Sequence, residues 1–182
     1  SEPEVSDLIT LVDMTELHER GDIGIMLEEI NMNSPLLVGI DLIFEGVKDD
    51  ALGNEILETS IAGLSDITVL SRKLIDYDSS KEEFTGSVRS YFAGDGNVTE
   101  AYTNLNNNMS GACIREMSIR QTCNGEDLLS FPARLAAVFD ESLYSRENDD
   151  LLINYRNVKN EETGKWEKVP YYMIEDKYPF GH

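Results

Sequence analysis

The stretch PLLVGIDLIFEG, residues 35 to 46, constrains the fold more than any other part of the chain. Its run from Leu36 to Phe44 is almost uninterrupted in its apolarity and too short for an amphipathic helix. An unbroken run of that kind, in place of an alternating one, predicts a central parallel strand covered on both faces. Such a strand demands neighbours on either side and helices packed over it. The run also carries Asp41 in its middle and Glu45 just beyond, which raises the question of whether the acids form a site or only end a strand.

The flanking pattern supplies those neighbours. LITLVDM, residues 8 to 14, reads as a short buried strand ending near Asp13. Ile23, Met26, Leu27 and Ile30 recur at the spacing of a helix that buries one face, and Asn33-Ser34-Pro35 stops it. GVKDD turns the chain into a second helix with the stripe Leu52, Ile56, Leu57, Ile61 and Leu64, and DITVLSRKL, residues 66 to 74, gives a third strand. Strand, helix, strand, helix, strand points to crossover connections and a parallel sheet. The expected class is therefore α/β, with a mostly parallel or mixed central sheet and helices packed on its faces. Residues 1–182 fit a single domain, and at that length about 70% of the unfolded surface can be buried without a metal or disulfide staple.

From Ile75 to Tyr102 the periodicity fades into Asp, Ser, Glu, Gly and Asn, which fits either a long surface excursion or a pair of short edge strands. CIREMSIR, residues 113 to 120, suggests a strand, and CNGED a turn after it. Ser130 is placed to cap a helix that has Pro132 in its first turn and buries Phe131, Leu135, Val138 and Phe139. LLINYRN reads as a further strand, and GKWEKVPYYMIED as a hairpin arm with a short terminal turn.

Charge excludes several classes of partner. Against 15 Lys and Arg stand 35 Asp and Glu, a net charge of -20 that repels nucleic acid and anionic headgroups unless a local basic patch offsets it. The basic residues are scattered singly apart from Arg72-Lys73, and no basic and aromatic interleaving suits nucleic acid. No window of 18 apolar residues occurs, and Ser1 is not a natural initiator, so the chain is expected to be excised from a longer protein. Cys113 and Cys123 stand in what reads as one strand running into a turn, so two free thiols are expected in preference to a bridge. The two histidines, His18 and His182, lack zinc-ligand spacing to them.

Asp13 and Asp41 both fall near the carboxyl end of an expected parallel strand, where α/β sheets place ligand sites. Converging, and joined by Glu45 or Asp49, they could hold Mg²⁺ or Ca²⁺ for metal-assisted hydrolysis. The plainer reading is that acids at strand ends accept backbone N–H bonds and face water. No G-x-S-x-G elbow is present, and His18 lies in an acidic loop. GDGN, residues 94 to 97, lacks the Lys-Ser/Thr of a phosphate loop and reads as a turn, as does NNNMSG. Asn97-Val-Thr and Asn108-Met-Ser match a glycosylation sequon too short to carry weight. No catalytic residue and no cofactor are assigned.

The ordered series is more informative than any one residue. LITLVDM, ERGDIGIMLEEIN, PLLVGIDLIFEG, DALGNEIL, ITVLSRKL, NLNNNMSGACIREMSI, SFPARLAAVF and LLINYRN resemble successive landmarks of the second CHASE family, the cyclase- and histidine-kinase-associated sensory extracellular domains. The most specific pieces are Gly39-Ile40-Asp41 with Phe44, Gly111 with Arg115, and Ile153-Asn154-Tyr155. The chain departs from the family in the short arm HERGDIG before the first helix and in NNNMSG before the Gly-x-x-Arg strand. The resemblance implies a non-enzymatic, extracytoplasmic α/β input domain of a bacterial signalling protein, periplasmic or extracellular, anchored in the membrane by helices flanking this segment. Its ligand is an unidentified small molecule or protein, nucleic acid is not a partner, and pairing into a homodimer is consistent with such receptors. Asp13, Asp41, Asn104, Arg115 and Asn154 are the structural or ligand-site candidates, expected to hydrogen-bond loops at the sheet's edge. Arg115 is expected to be a buried charge with Asp41 as its partner, a pair whose breakage costs about 3 to 5 kcal/mol. Two further readings compete: a divalent-metal hydrolase using Asp13 and Asp41, with Glu45 as a further candidate metal ligand, and an interaction domain whose acidic face docks a basic protein.

Overall fold

A computed structural model describes residues 9–94, 96–104, 116–145, 150–152 and 169–170. In chain order its first elements are β1 (Val12–Asp13), α1 (Arg20–Met32), β2 (Val38–Ile40), α2 (Ala51–Gly63), β3 (Thr68–Asp78), β4 (Glu83–Val88) and β5 (Thr99–Tyr102). There follow β6 (Glu116–Ser118), β7 (Arg120–Cys123), β8 (Glu126–Leu129), α3 (Phe131–Ala136), β9 (Asp150–Leu152) and β10 (Val169–Pro170). The class is α/β, with a sheet that mixes parallel and antiparallel pairs. The chain separates into two compact units, each assembled from several stretches: 9–35, 49–61 and 169–170 of the described residues form the first, and the others form the second.

In the first unit α1 buries Ile23, Met26 and Leu27, as their spacing requires, and ends at Asn33, whose side-chain amide donates to the Glu29 carbonyl at 2.9 Å. α2 starts from Asp50, whose carboxylate accepts from the Gly53 N–H at 3.0 Å and so satisfies one of the free donors of the first turn. The two helices approach through glycine. A Cβ at Gly24 would stand 2.8 Å from Ile56 Cγ2 and 3.0 Å from both the Ile56 carbonyl carbon and Leu57 Cα. Leu57 and Ile61 are buried, but Leu52 is 65% exposed, because Gly53 and Ser60 take the inward positions beside them. The Arg20 guanidinium, itself buried, donates to Asn54 Oδ1 at 2.6 Å.

Of the strand expected at 8–14, the described residues 9–14 contain the two-residue β1, with Ile9 and Leu11 exposed, and β1 pairs in parallel with β10. It is no buried strand of the main sheet. β10 belongs to the segment expected as a hairpin arm, and the remainder of that segment lies outside the described residues.

The second unit is built on β3. Its first half runs parallel to β2 on one side and to β5 on the other, while its second half pairs antiparallel with β4. Between Ile75 and Tyr102 the chain therefore makes strands, the continuation of β3 and then β4 and β5, where the sequence left an excursion as an alternative. β2 covers only Val38–Ile40 and, among the described residues, pairs with β3 alone, so the central position expected for Leu36–Phe44 belongs to β3. Gly39 gives room to α3, because a Cβ there would meet the Phe131 ring and Leu135 Cδ1 at 3.1 Å.

Pairing then continues from β4 to β7 through Phe84 and Cys123, and from β7 to β8 across an Asn124-Gly125 turn with φ of 51° and 76°. Both turn residues need a left-handed backbone, which Asn and Gly tolerate, so CNGED closes a hairpin and its last residues start a strand. After β8, Ser130 bridges in parallel to Tyr102 of β5. The path β3, β4, β7, β8, β5 thus returns to β3. One side chain from each of those strands meets in its interior: Leu74, Phe84, Cys123, Leu128 and Tyr102. The Tyr102 hydroxyl donates to the Ser118 carbonyl at 2.6 Å, satisfying its buried polar end.

The described part of the expected strand at 113–120, residues 116–120, is not one strand: β6 pairs antiparallel with β9, and β7 begins at Arg120. α3 ends at Ala136, and Val138 and Phe139 are exposed in contrast to the expected stripe. Small residues serve in their place, since Ala133 and Ala137 pack with Ile119 and Leu129. Ser130 does occupy the cap position, but its hydroxyl makes no cap bond.

Candidate functional site

The parallel half of the sheet has its carboxyl edge at Asp41, after β2, and at Thr103 and Asn104, after β5. β3 lies between them. Opposite the end of β2, Ser71 is a hydroxyl at the end of the buried run Thr68 to Ser71, and such a group needs a polar partner. It donates to the Asp41 carboxylate at 2.8 Å and to the Ile40 carbonyl at 3.1 Å, one proton shared between two acceptors. Asp41 itself is exposed. One carboxylate oxygen is therefore oriented by a buried hydroxyl, and among the described residues the second oxygen has no partner.

On the other side of β3, Asn104 extends the ladder with its side chain. Its Oδ1 accepts from the Leu74 N–H at 2.7 Å and its Nδ2 donates to the Leu74 carbonyl at 2.8 Å, one position beyond the Thr103 N–H bond to Arg72. This is the geometry of an extra strand residue made by an amide. Beyond Asp41, Phe44 is buried, meets the Phe92 ring edge-on with centroids 5.5 Å apart, and accepts from the Tyr91 N–H at 2.8 Å. Glu45 is exposed next to it.

Asp13 lies in the first unit, Asp41 and Glu45 in the second, so neither unit assembles the paired-carboxylate site by itself. The Asp13 carboxylate accepts from the Thr15 N–H at 3.1 Å and from its hydroxyl, the local turn expected of Asp followed by Thr two residues on. Among the described residues no group of three or more His, Cys, Asp and Glu is arranged to hold a metal ion. Arg115, Asn154 and Cys113 lie outside the described residues, and with them the Asp41 and Arg115 pair. Cys123 is a free, buried thiol. Ser71 was not singled out in the sequence, although a hydroxyl between Leu70 and the buried Leu74 was the available signal.

Chemically, the carboxyl edge offers an oriented anion, and the Ser71 hydroxyl beneath it is only 1% exposed. It is fitted to accept hydrogen bonds from a ligand's amine or hydroxyl groups. Among the described residues no helix is long and apolar enough to cross a membrane. Compared with known protein families, with curated proteins and with solved structures, the chain matches none.

Proposed function

We propose that the chain is a non-catalytic sensory or ligand-binding input domain, working on the extracytoplasmic side of a bacterial membrane as part of a membrane-anchored signalling protein. The observation that carries the reading is Asp41: an exposed carboxylate at the end of a parallel strand, held from beneath by Ser71 Oγ at 2.8 Å. Ligands of α/β sheets bind outside the carboxyl ends of their strands. The resemblance of the ordered landmarks to those of the second CHASE family supports the same reading, and Gly39-Ile40-Asp41 with Phe44, one of its three most specific pieces, forms this edge. The ligand is a small molecule or protein that presents donors to Asp41, and receptors of this kind work as pairs of domains.

The reading is tested by melting the chain in the presence of a panel of small amines, amino acids and polyols, beside Mg²⁺, Mn²⁺ and Ca²⁺. A member of the panel should raise the melting temperature in a saturable way, and Asp41→Asn should remove that response while leaving the unliganded melting temperature within a few degrees. A rise with millimolar metal alone, lost in the same variant, would favour the hydrolase instead.

A further inference from the structure

Five arginines fall among the described residues, and four of them hydrogen-bond. Arg20 donates to Asn54, Arg89 to Glu100 and the Gly94 carbonyl, Arg120 to the Leu143 and Tyr144 carbonyls, and Arg134 to Thr99. Arg72 is the exception. Its side chain is only 14% exposed, its Nε is buried without a hydrogen-bond partner, and its one ionic contact among the described residues is Nη1 to Glu126 at 3.8 Å. That separation is too long for a hydrogen bond. Glu126, for its part, is 66% exposed and opens β8 directly after the Asn124-Gly125 turn.

A guanidinium largely removed from water needs its donors satisfied, and its planar fork matches a carboxylate with two parallel bonds. Here the one carboxylate in ionic contact among the described residues faces mostly to solvent and makes neither bond. The surroundings are fixed: Arg72 is opposite Tyr102 in the ladder, two residues before Leu74 on the same face, and both of those side chains are immobilised in the interior of the strand ring.

We propose that the Arg72 guanidinium is a binding site for a small carboxylate, with Glu126 as an exchangeable occupant that the ligand's own carboxylate displaces. A terminal, unhindered carboxylate fits best, because the side chain is only 14% exposed and its Nε is covered. This site is distinct from the Asp41 edge and does not depend on the sensory reading: failure at Arg72 leaves the Asp41 test untouched, and the reverse also holds.

The test uses the full 182-residue chain, uniformly labelled with ¹⁵N, titrated with sodium acetate against sodium chloride at constant ionic strength. The Arg72 Nε–H resonance should shift saturably with acetate. Glu126→Gln removes the competing charge and should tighten acetate about fivefold or more, the factor that two unit charges about 4 Å apart correspond to in water, since Glu126 is largely exposed. The backbone amides of Tyr102, opposite Arg72 in the ladder, and of Leu74 should shift with the same saturation in wild type and no longer do so in Arg72→Gln, and if that variant does not fold, the comparison of wild type with Glu126→Gln decides alone. A shift that chloride reproduces, or no saturable shift in either wild type or Glu126→Gln, overturns the proposal.

Discussion

Replacing Gly24 by Ala isolates the contact between α1 and α2. The added methyl would lie 2.8 Å from Ile56 Cγ2, which a rotamer change could relieve, but also 3.0 Å from the Ile56 carbonyl carbon and from Leu57 Cα. Backbone atoms yield only if the helices separate, and Leu57 is fully buried at that point. Two terms oppose each other. Ala in a helix is favoured over Gly by about 1 kcal/mol, whereas forcing a methyl into a packed interface costs about 1–3 kcal/mol and occasionally more. With backbone as the obstacle the upper part of that range applies, so the net effect is a loss of about 1–2 kcal/mol. Urea denaturation followed by far-UV circular dichroism reads this directly: at a slope near 2 kcal/mol/M the midpoint should fall by about 0.5–1 M with the slope unchanged. Gly63→Ala serves as the control, because nothing lies within 4 Å of a Cβ there, and it should be neutral or slightly stabilising. A Gly24→Ala chain as stable as wild type would refute the claim that the helices meet backbone to backbone at this glycine.

Asn104→Ala leaves the Leu74 N–H and carbonyl without the bonds the side chain supplies, and should cost about 1–3 kcal/mol in the same assay, with loss of amide protection at Leu74. Equal protection in the variant would show that the amide is dispensable to the ladder. At Asp78 the Ser80 hydroxyl, then the Ser80 N–H, hold the carboxyl below its ordinary value of 3.8. A depressed carboxyl stabilises the fold above the unfolded value and loses that contribution as pH falls through the folded one, so the window lies below pH 3.8. Carbon-detected titration of Asp78 should move up toward its ordinary value in Ser80→Ala, and an unchanged titration would discard the hydroxyl as its cause.

Local periodicity was enough for the parts of the fold that depend on local chemistry. Ile23, Met26 and Leu27 mark the inward face of α1 because a helix returns them to one side whatever they meet, and the strand read in residues 66 to 74 is announced by the β-branched, apolar Ile67 to Leu70. What failed depended on partners remote in sequence. Leu36–Phe44 reads as a centre because apolarity reports burial, yet the number of neighbours a strand acquires is settled by β3, whose polar second half from Lys73 to Asp78 hid its length. Val138 and Phe139 looked like core and are exposed, since the close approach at α3 admits only Ala133 and Ala137. The same division holds at the candidate sites. Asp41 stood out as an acid in an apolar run, but Ser71, its partner thirty residues away, and the poorly satisfied Arg72 beside it acquire meaning only once strands are placed side by side.

The returning path of strands has joints of unequal strength. β3 with β4 and β7 with β8 are ladders of several pairs joined by short turns, whereas β4 meets β7 through one pair and β5 meets Ser130 through one bridge. Hairpins of that kind form in microseconds, but the two single joints require chain segments tens of residues apart to find each other. They are seams, expected from their sequence separation to close after the hairpins and to part before them. Arg72 and Glu126 sit on two of the strands that such a parting would pull apart, so whatever occupies the guanidinium also bears on whether the ring stays shut.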